Sequence, residues 1–442
     1  GGCAALKQMA AGVGDRAAGV QDIVDDQHLA AGNVDFHIAQ QAHGAAGDGD
    51  GGLTPHEEAA ATVVGGGIPV DVHAGLLDEL LDSRGIAGQI DGGSLAPRAA
   101  GLIGDHDGDI ASALLALNEF KLSTSFKIAY QFLFHRLSAV AASRLLTCLA
   151  EAVLQQCLQL AAGDLQRQHG TVPDSGFAAI GYGSLGARSL SFNSDLDLVF
   201  LDRSGPDAAS DGVRTLDAPR YFLRLAQKLI ALLNLSTPAG SLYEADMRLR
   251  PDGAKGLLVS RFESFEQYQQ QRAWTWELQA LVRARAVAGD AQLRHRFEEL
   301  RAALLGLPRD AQSLHAEVTG MRLRMRAELD RSTDGHFDLK HGPGGLTDIE
   351  FFLQAMLLMH ATDHPDLLTL RETPELIGGL HAAGLLSMEE GRVLHGAVES
   401  LQGQSLRCHL GNRKRIVPES DGLSLVRNGV IAVLLRHGMA FS

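Results

Sequence analysis

A glycine-rich bend, GYGSLG at Gly181–Gly186, is followed along the chain by the acidic segment SDLDLVF at Ser194–Phe200. An apolar run precedes the bend, and the residues after it alternate as in a half-buried strand, so we predict two strands joined by the bend. The second of these strands is predicted at Asp195–Leu201. Side chains two residues apart on a strand face the same side, so Asp195 and Asp197 are expected to project together.

This pair of carboxylates has a spacing that suits a metal site. Mg²⁺ prefers oxygen ligands and commonly takes one or two carboxylates together with substrate phosphates. Two such ions activate an attacking hydroxyl and stabilise the leaving oxygen of an in-line displacement. Glycines let the backbone approach a phosphate closely, so Gly183 and the hydroxyl of Ser184 are candidate ligands of a triphosphate. Taken alone, an Asp-x-Asp pair also fits a solvent-exposed strand surface.

A second alternating segment, LYEADMRLR at Leu242–Arg250, offers a third acid. We predict a third strand here, with four charged side chains on one face: Glu244, Asp246, Arg248 and Arg250. Asp246 is predicted to be the third metal ligand and the general base, beside the two earlier acids. Arg248 and Arg250 are predicted to bind phosphate or to hold the acids in place. The alternative is a solvated strand face of salt bridges.

The composition limits the class of protein. The chain has 442 residues, of which 45% are hydrophobic and 21% charged, as in a globular protein of two or three domains. A formal net charge of -14 argues against a nucleic-acid-binding body. The sequence has no apolar run of the roughly 18 residues that cross a membrane, and we read no secretory signal, so no membrane partner is expected. Four scattered cysteines form no zinc pattern and fit a reducing cytoplasm.

The order of the segments predicts an α+β fold, in which a small α/β catalytic domain precedes a helical bundle domain. Residues 1–125 are rich in glycine and poor in aromatic residues, so we interpret them as a poorly ordered or non-native-like extension. We divide the rest into a helical connector (residues 126–170), the nucleotidyltransferase-like catalytic domain (171–300), the helical domain (301–415) and a tail (416–442).

Together these motifs resemble the DNA polymerase β-like nucleotidyltransferase superfamily. From Leu137 to Arg415 the chain more narrowly resembles the C-terminal half of the glutamine synthetase adenylyltransferase/adenylyl-removing enzymes. Five dispersed segments, in the same order, carry this resemblance: Gly181–Leu201, Leu242–Val259, Ala273–Asp290, Glu317–Arg326 and Phe337–Gln354. The helical domain at 301–415 is accordingly expected to be of the PII-uridylyltransferase/adenylyltransferase type.

The resemblance implies a multifunctional enzyme of nitrogen metabolism that transfers AMP from ATP to a tyrosine hydroxyl of glutamine synthetase and releases pyrophosphate. It implies Mg²⁺ as the cofactor, held by Asp195, Asp197 and Asp246, and glutamine synthetase and the PII signalling protein as partners. The family's adenylyl-removing half has its own acidic cassette. We read no second cassette, of a glycine bend followed by a strand with Asp-x-Asp, before Leu137, so adenylyl removal is not expected of this chain.

Two alternatives remain open at this point. One is another nucleotidyltransferase, such as a PII uridylyltransferase. The other is a catalytically silent fragment that binds glutamine synthetase or PII. The second is motivated by the missing N-terminal half of the family pattern and by the unusual composition of the first 120 residues. Three positions depart from the family pattern without removing a metal ligand: Ala187, Ser189 and Leu278.

Two further features have structural interpretations. One is a cluster of arginines predicted to form a solvated helix face: Arg322, Arg324 and Arg326. The other is the loop Gly342–Gly345, which precedes a predicted helix with Asp348 and Glu350 in its first turn. Because those acids compete with any bound anion, we interpret the loop as a tight packing turn rather than a phosphate site.

Overall fold

The computed structural model describes residue 88 and residues 90–104, 109–237 and 240–441. Most of the predicted extension therefore lies outside the described residues. The described part of the chain is an α+β fold, mainly helical, with one five-stranded and one two-stranded sheet. This confirms the fold class in outline.

In the described part of the chain, three α-helices precede the first strand: α1 (Leu95–Gly104), α2 (Ile110–Leu133) and α3 (Ala139–His169). The side chains of Asp109 and Ser138 cap the starts of α2 and α3 by accepting backbone N–H groups. Leu117 and Phe120 of α2 are buried in a core that includes α3. The expectation of poor order through residue 125 therefore does not hold for α1 and α2. Their apolar surface comes mainly from leucine and alanine, which a count of aromatic residues overlooks.

Helix α3 is the one helix in the described ranges that is long and apolar enough to cross a membrane. However, 61% of its most apolar window is buried within the fold. It packs against α1, α2 and the sheet. The central helix of a globular core passes the same length and composition test, so α3 gives no support to a membrane assignment.

The larger sheet has five strands: β1 (Gly176–Gly181), β2 (Leu196–Arg203), β3 (Ala245–Asp246), β4 (Val259–Arg261) and β5 (Arg285–Gly289). Strand β1 lies between β2 and β5 and is antiparallel to both. Strands β3 and β4 pair in parallel with successive parts of β2. Two helices fall between β1 and β3: α4 (Gly183–Gly186) and α5 (Ala218–Asn234).

The two faces of this sheet are covered by different cores. One face of β2 joins a core formed with α1, α2, α3 and α5 through three side chains: Leu196, Leu198 and Phe200. Val199 and Leu201 join a second core, formed with helices that follow β4. Because side chains alternate along a strand, Asp197 lies on the same face as Val199, toward the C-terminal helices.

The third strand is much shorter than its sequence indicates. The alternation predicts a strand over Leu242–Arg250, whereas β3 ends at Asp246 and the chain then turns. The guanidinium of Arg250 closes this turn by donating to three carbonyl groups of its own loop, those of Met247 at 2.7 Å, Ala254 at 3.0 Å and Gly256 at 3.2 Å. The strand prediction is therefore wrong beyond Asp246, because the alternating charges belong to a turn.

Helices dominate the rest of the chain: α6 (Phe262–Gln271), α7 (Thr275–Val282), α8 (Ala291–Leu305), α9 (Ala311–Leu329), α10 (Leu346–His360), α11 (Thr373–Ala382), α12 (Met388–Leu410) and α13 (Asp421–Arg436). Strands β6 (His336–Asp338) and β7 (Ile416–Pro418) form an antiparallel pair. Segment 416–442, named a tail from the sequence, thus contains β7 and α13. Val430 and Leu434 of α13 are buried.

The arginine cluster of α9 is not a solvated face. The side chain of Arg322 is fully buried, and its Nε donates to Asp348 at 2.7 Å. Arg326 donates to both oxygens of the same carboxylate, at 2.7 and 2.6 Å, while Arg324 is exposed. The backbone N–H of Gly344 also donates to Asp348, at 2.7 Å. The loop before α10 is therefore a packing turn. Asp348, in the first turn of α10, neutralises Arg322 and Arg326 of α9.

Candidate functional site

Strands β2 and β3 bring two of the predicted acids side by side. The strands run parallel, and Asp197 is the register partner of Asp246, as Leu196 is of Ala245. The N–H of Leu196 donates to the carbonyl of Glu244 at 2.9 Å, which holds the strands together at this point. The two carboxylates therefore come from neighbouring positions on adjacent strands.

Asp195 lies one residue before β2, which begins at Leu196, and it is exposed to solvent. Its charge still reaches Asp197, where it contributes to raising the pKa of that side chain. The three predicted acids thus share one neighbourhood, with Asp195 on its solvent side.

The two paired acids respond differently to their surroundings. Burial raises the pKa of Asp197 to about 6, and the charge of Asp246 acts in the same direction. Burial also opposes ionisation of Asp246, but hydrogen bonds from Arg248 outweigh it and hold the pKa below its ordinary value. The Arg248 guanidinium donates to the two oxygens of Asp246 at 2.9 and 2.6 Å. Asp246 therefore ionises at a lower pH than Asp197.

The glycine bend lies directly against Asp197. Gly183 has a φ of 53°, in the left-handed region that favours glycine, and a Cβ there would lie 2.3 Å from Oδ2 of Asp197. The N–H of Tyr182 donates to the carbonyl of Asp197 at 2.9 Å. A side chain at position 183 would therefore be strained and would collide with the carboxylate.

Carboxylate oxygens are ligands that a divalent cation prefers, and Asp197 and Asp246 lie at paired strand positions beside the glycine bend. As the chain stands, Arg248 pairs with Asp246. Within the described ranges, no group of three or more His, Cys, Asp or Glu side chains is already arranged to hold a metal ion. A metal site formed by Asp195, Asp197 and Asp246 therefore stays a prediction.

A cleft lies beside Asp197 and the glycine bend. Its walls carry polar side chains and the backbone of one glycine: Gly183, Ser184, Asp197, Gln279, Arg283, Lys340, Thr347, Glu350 and Gln354. They also carry apolar side chains: Leu249, Trp276, Ala280, Met325 and Phe351. This mixture of linings suits a small organic ligand with a polar end.

Residues 70–300 match a family model described as glutamate-ammonia ligase adenylyltransferase. The matched region contains all five strands of the larger sheet, the glycine bend and the three acids. The chain belongs to the glutamate-ammonia ligase adenylyltransferase family. A second model, described as GlnD PII-uridylyltransferase, matches residues 312–415, which fall within the predicted helical domain.

Curated relatives of this adenylyltransferase family are similar over most of the chain. A bifunctional glutamine synthetase adenylyltransferase/adenylyl-removing enzyme of Xanthomonas axonopodis pv. citri is 49% identical over 368 residues, covering 83% of this chain and 39% of the relative. An enzyme of the same name from Stenotrophomonas maltophilia (strain K279a) is 48% identical over 354 residues, covering 79% of this chain and 37% of the relative. The chain therefore spans about two fifths of the length of these relatives.

The predicted phosphate ligands divide into two groups. Gly183 and Ser184 both line the cleft. Arg248, in contrast, is engaged with Asp246, and Arg250 is engaged with carbonyl groups of its own loop. Arg248 therefore holds an acid and Arg250 shapes its loop, and a phosphate-binding role for either arginine stays a prediction.

The cleft also contains residues to which sequence reasoning gave no role. Lys340, Glu350 and Gln354 come from the loop and helix around α10, far along the chain from Asp197. Their segment, Phe337–Gln354, was singled out as part of the family resemblance. No sequence spacing connects a lysine in that segment to an acid on β2. Their common place in the cleft is therefore visible only in the folded structure.

Proposed function

We propose that this chain is the catalytic half of an adenylyltransferase that moves AMP from ATP to a tyrosine hydroxyl of glutamine synthetase, with release of pyrophosphate. The observation that carries the proposal is the pairing of Asp197 with Asp246 on adjacent strands, against a glycine bend that opens into a cleft. The names of the relatives support the acceptor and the transferred group.

The chemistry is an in-line displacement at the α-phosphorus. The tyrosine oxygen forms the new O–P bond, the bond between the α-phosphorus and the bridging oxygen breaks, and pyrophosphate leaves. Asp246 receives the tyrosine proton once Arg248 has released it. Gly183 and Ser184 hold phosphate oxygens through backbone N–H and hydroxyl groups. Mg²⁺, which Asp195, Asp197 and Asp246 would hold, supplies positive charge to offset that of the phosphates.

The partners proposed are glutamine synthetase, as acceptor, and PII, as regulator. The match of residues 312–415 to a model named for PII uridylyltransferase supports the second. The proposed setting is the cytoplasm, because the relatives' named acceptor is a metabolic enzyme and three cysteines of the described chain are free thiols. Neither nucleic acid nor membrane is proposed as a partner.

A uridylyltransferase is the competing candidate. The model of that name matches only the helical region, whereas the acids and the glycine bend fall within the adenylyltransferase match. The nucleotide preference is expected to follow the region that carries the acids, so AMP is proposed as the transferred group.

The test is incubation of the chain with glutamine synthetase, Mg²⁺ and either labelled ATP or labelled UTP, followed by mapping of the modified residue. Label from ATP on a tyrosine of glutamine synthetase is the expected result. Label from UTP on PII would favour the uridylyltransferase. Binding of glutamine synthetase without incorporation from either nucleotide would indicate a silent binding fragment.

A further inference from the structure

A second cavity adjoins the cleft. Its walls carry hydroxyl and basic groups: Ser189, Ser191, Ser194, Lys340 and Arg415. Ser184, Lys340 and Glu350 line both the cleft and this cavity, which we call the serine cavity. The two spaces therefore meet at the glycine bend, next to the carboxylate of Asp197.

The two cations of the serine cavity are held together by the small sheet. Strands β6 and β7 are antiparallel, and the N–H of Leu339 extends their pairing by donating to the carbonyl of Arg415 at 2.9 Å. The N–H of Lys340 donates to Asp338 at 2.9 Å, and the carbonyl of Lys340 accepts from Thr347 at 3.0 Å. Backbone contacts thus fix Lys340 and Arg415 at the same end of this sheet.

The walls of the serine cavity carry two cations, Lys340 and Arg415, and one acid, Glu350. The charge of Glu350 is offset by Arg283 at 2.6 Å. The charge of Asp338 also acts on Arg415. Burial, together with the charges of Arg415 and Lys340, lowers the pKa of His409, which hydrogen-bonds to Ser191, to about 4. With two cations against one paired acid on its walls, the cavity suits an anion.

The proposed reaction needs such a site. ATP carries several negative charges on its β- and γ-phosphates, and these leave together as pyrophosphate. The two arginines predicted to bind phosphate are occupied, Arg248 by Asp246 and Arg250 by its own loop. Lys340 and Arg415 are two further cations that can supply positive charge to the leaving group.

We propose that Lys340 and Arg415 bind the β- and γ-phosphates of ATP in the serine cavity, while the cleft at Asp197 holds the α-phosphate. This inference rests on the proposed function, since it concerns the nucleotide of the same site. Both cations come from the C-terminal helical region, outside the strands that carry the acids. Nucleotide binding then joins the two halves of the structure.

The test measures the dissociation constants of ATP, AMP and inorganic pyrophosphate by calorimetry, with Mg²⁺ and without any acceptor. The variants are Lys340→Met and Arg415→Met, with Lys414→Met as the matched control, because Lys414 neighbours Arg415 in sequence but is exposed. Losing one charge-assisted contact is expected to raise the dissociation constants of ATP and pyrophosphate roughly tenfold or more. AMP, which lacks the β- and γ-phosphates, is expected to bind all four proteins equally.

Thermal unfolding of each variant shows whether it is folded, and Arg415→Lys restores the charge if Arg415→Met is unstable. If Lys340→Met weakens the binding of AMP and ATP equally, or does not weaken the binding of ATP, the inference is overturned and the proposed function still stands. Failure of the unmodified chain to bind ATP at all would instead refute the proposed function, and the inference with it.

Discussion

Asp197 and Asp246 show how one backbone register creates two chemically different carboxylates. Parallel pairing of β2 with β3 places them side by side, so each ionised side chain opposes ionisation of the other. Arg248 donates a hydrogen bond to Asp246 and lowers the pKa of that side chain. The pKa of Asp197, in contrast, is raised. The residues of the site are thus coupled before any nucleotide arrives.

The coupling predicts a shift in the titration of Asp197. In Asp246→Asn the neighbouring charge is gone, so the pKa of Asp197 should fall below its value of about 6 in the unmodified protein. Burial, the larger cause, remains, so the fall should be partial. Carboxyl-carbon NMR titration of both proteins measures it, and an unchanged or higher pKa in the variant would contradict the coupling.

The raised pKa of Asp197 also links stability to pH. Its folded-state pKa of about 6 lies above the ordinary 3.8, so its contribution to stability is present below about pH 4 and is lost as the pH rises through about 6. Asp197→Asn removes this loss. As the pH rises from about 5 to about 7.5, we expect the free energy of unfolding of the variant to increase relative to that of the unmodified chain. Urea unfolding at a series of pH values measures this difference. A difference that stays constant or shrinks would contradict the assignment.

At the scale of elements, the glycine bend that follows β1 combines a left-handed backbone at Gly183 with a close approach to Asp197. Gly183→Ala forces a side chain into a left-handed conformation and into Oδ2 of Asp197. We expect it to cost more than about 1 kcal/mol of unfolding free energy and to reduce AMP transfer. Gly205→Ala is the control, since an added Cβ there meets nothing within 4 Å among the described residues. Similar losses in both variants would count against the contact.

The two acidic segments also differ in how far their sequence predicts their structure. β2 follows its prediction closely, because its apolar residues alternate between two buried cores. The alternation of Leu242–Arg250 is equally regular but ends as a turn, because arginine side chains bond to nearby backbone and to Asp246. Charge alternation does not distinguish a strand face from side chains that fold back onto a turn.

At the scale of the whole molecule, the sheet separates two cores, and the site lies where the second core meets it. The stretches that build β1 and β2 could be predicted from their own pattern. Lys340 and Arg415 could not, because their position beside the bend depends on long-range pairing of β6 with β7. The N-terminal helices α1 and α2 were missed because their buried surface is mostly aliphatic.

The buried ion pairs between α9 and α10 predict a large stability effect. Asp348→Ala leaves the guanidinium groups of Arg322 and Arg326 without their shared carboxylate, so we expect a loss of about 3–5 kcal/mol. Asp363→Ala, which removes an exposed acid just after α10, should change stability little. Urea unfolding measures both. A loss below about 1 kcal/mol in Asp348→Ala would show that these helices are held by other contacts.

The central claim is that the acids beside the glycine bend carry out nucleotidyl transfer. It is tested most directly by the rate of AMP incorporation into glutamine synthetase from labelled ATP, in Asp197→Asn and in the control Asp207→Asn, whose acid is exposed on a loop. We predict that Asp197→Asn remains folded, as judged by circular dichroism, and loses transfer by roughly a thousandfold or more. Asp207→Asn should keep the full rate. Transfer by Asp197→Asn at the rate of the control would contradict the account.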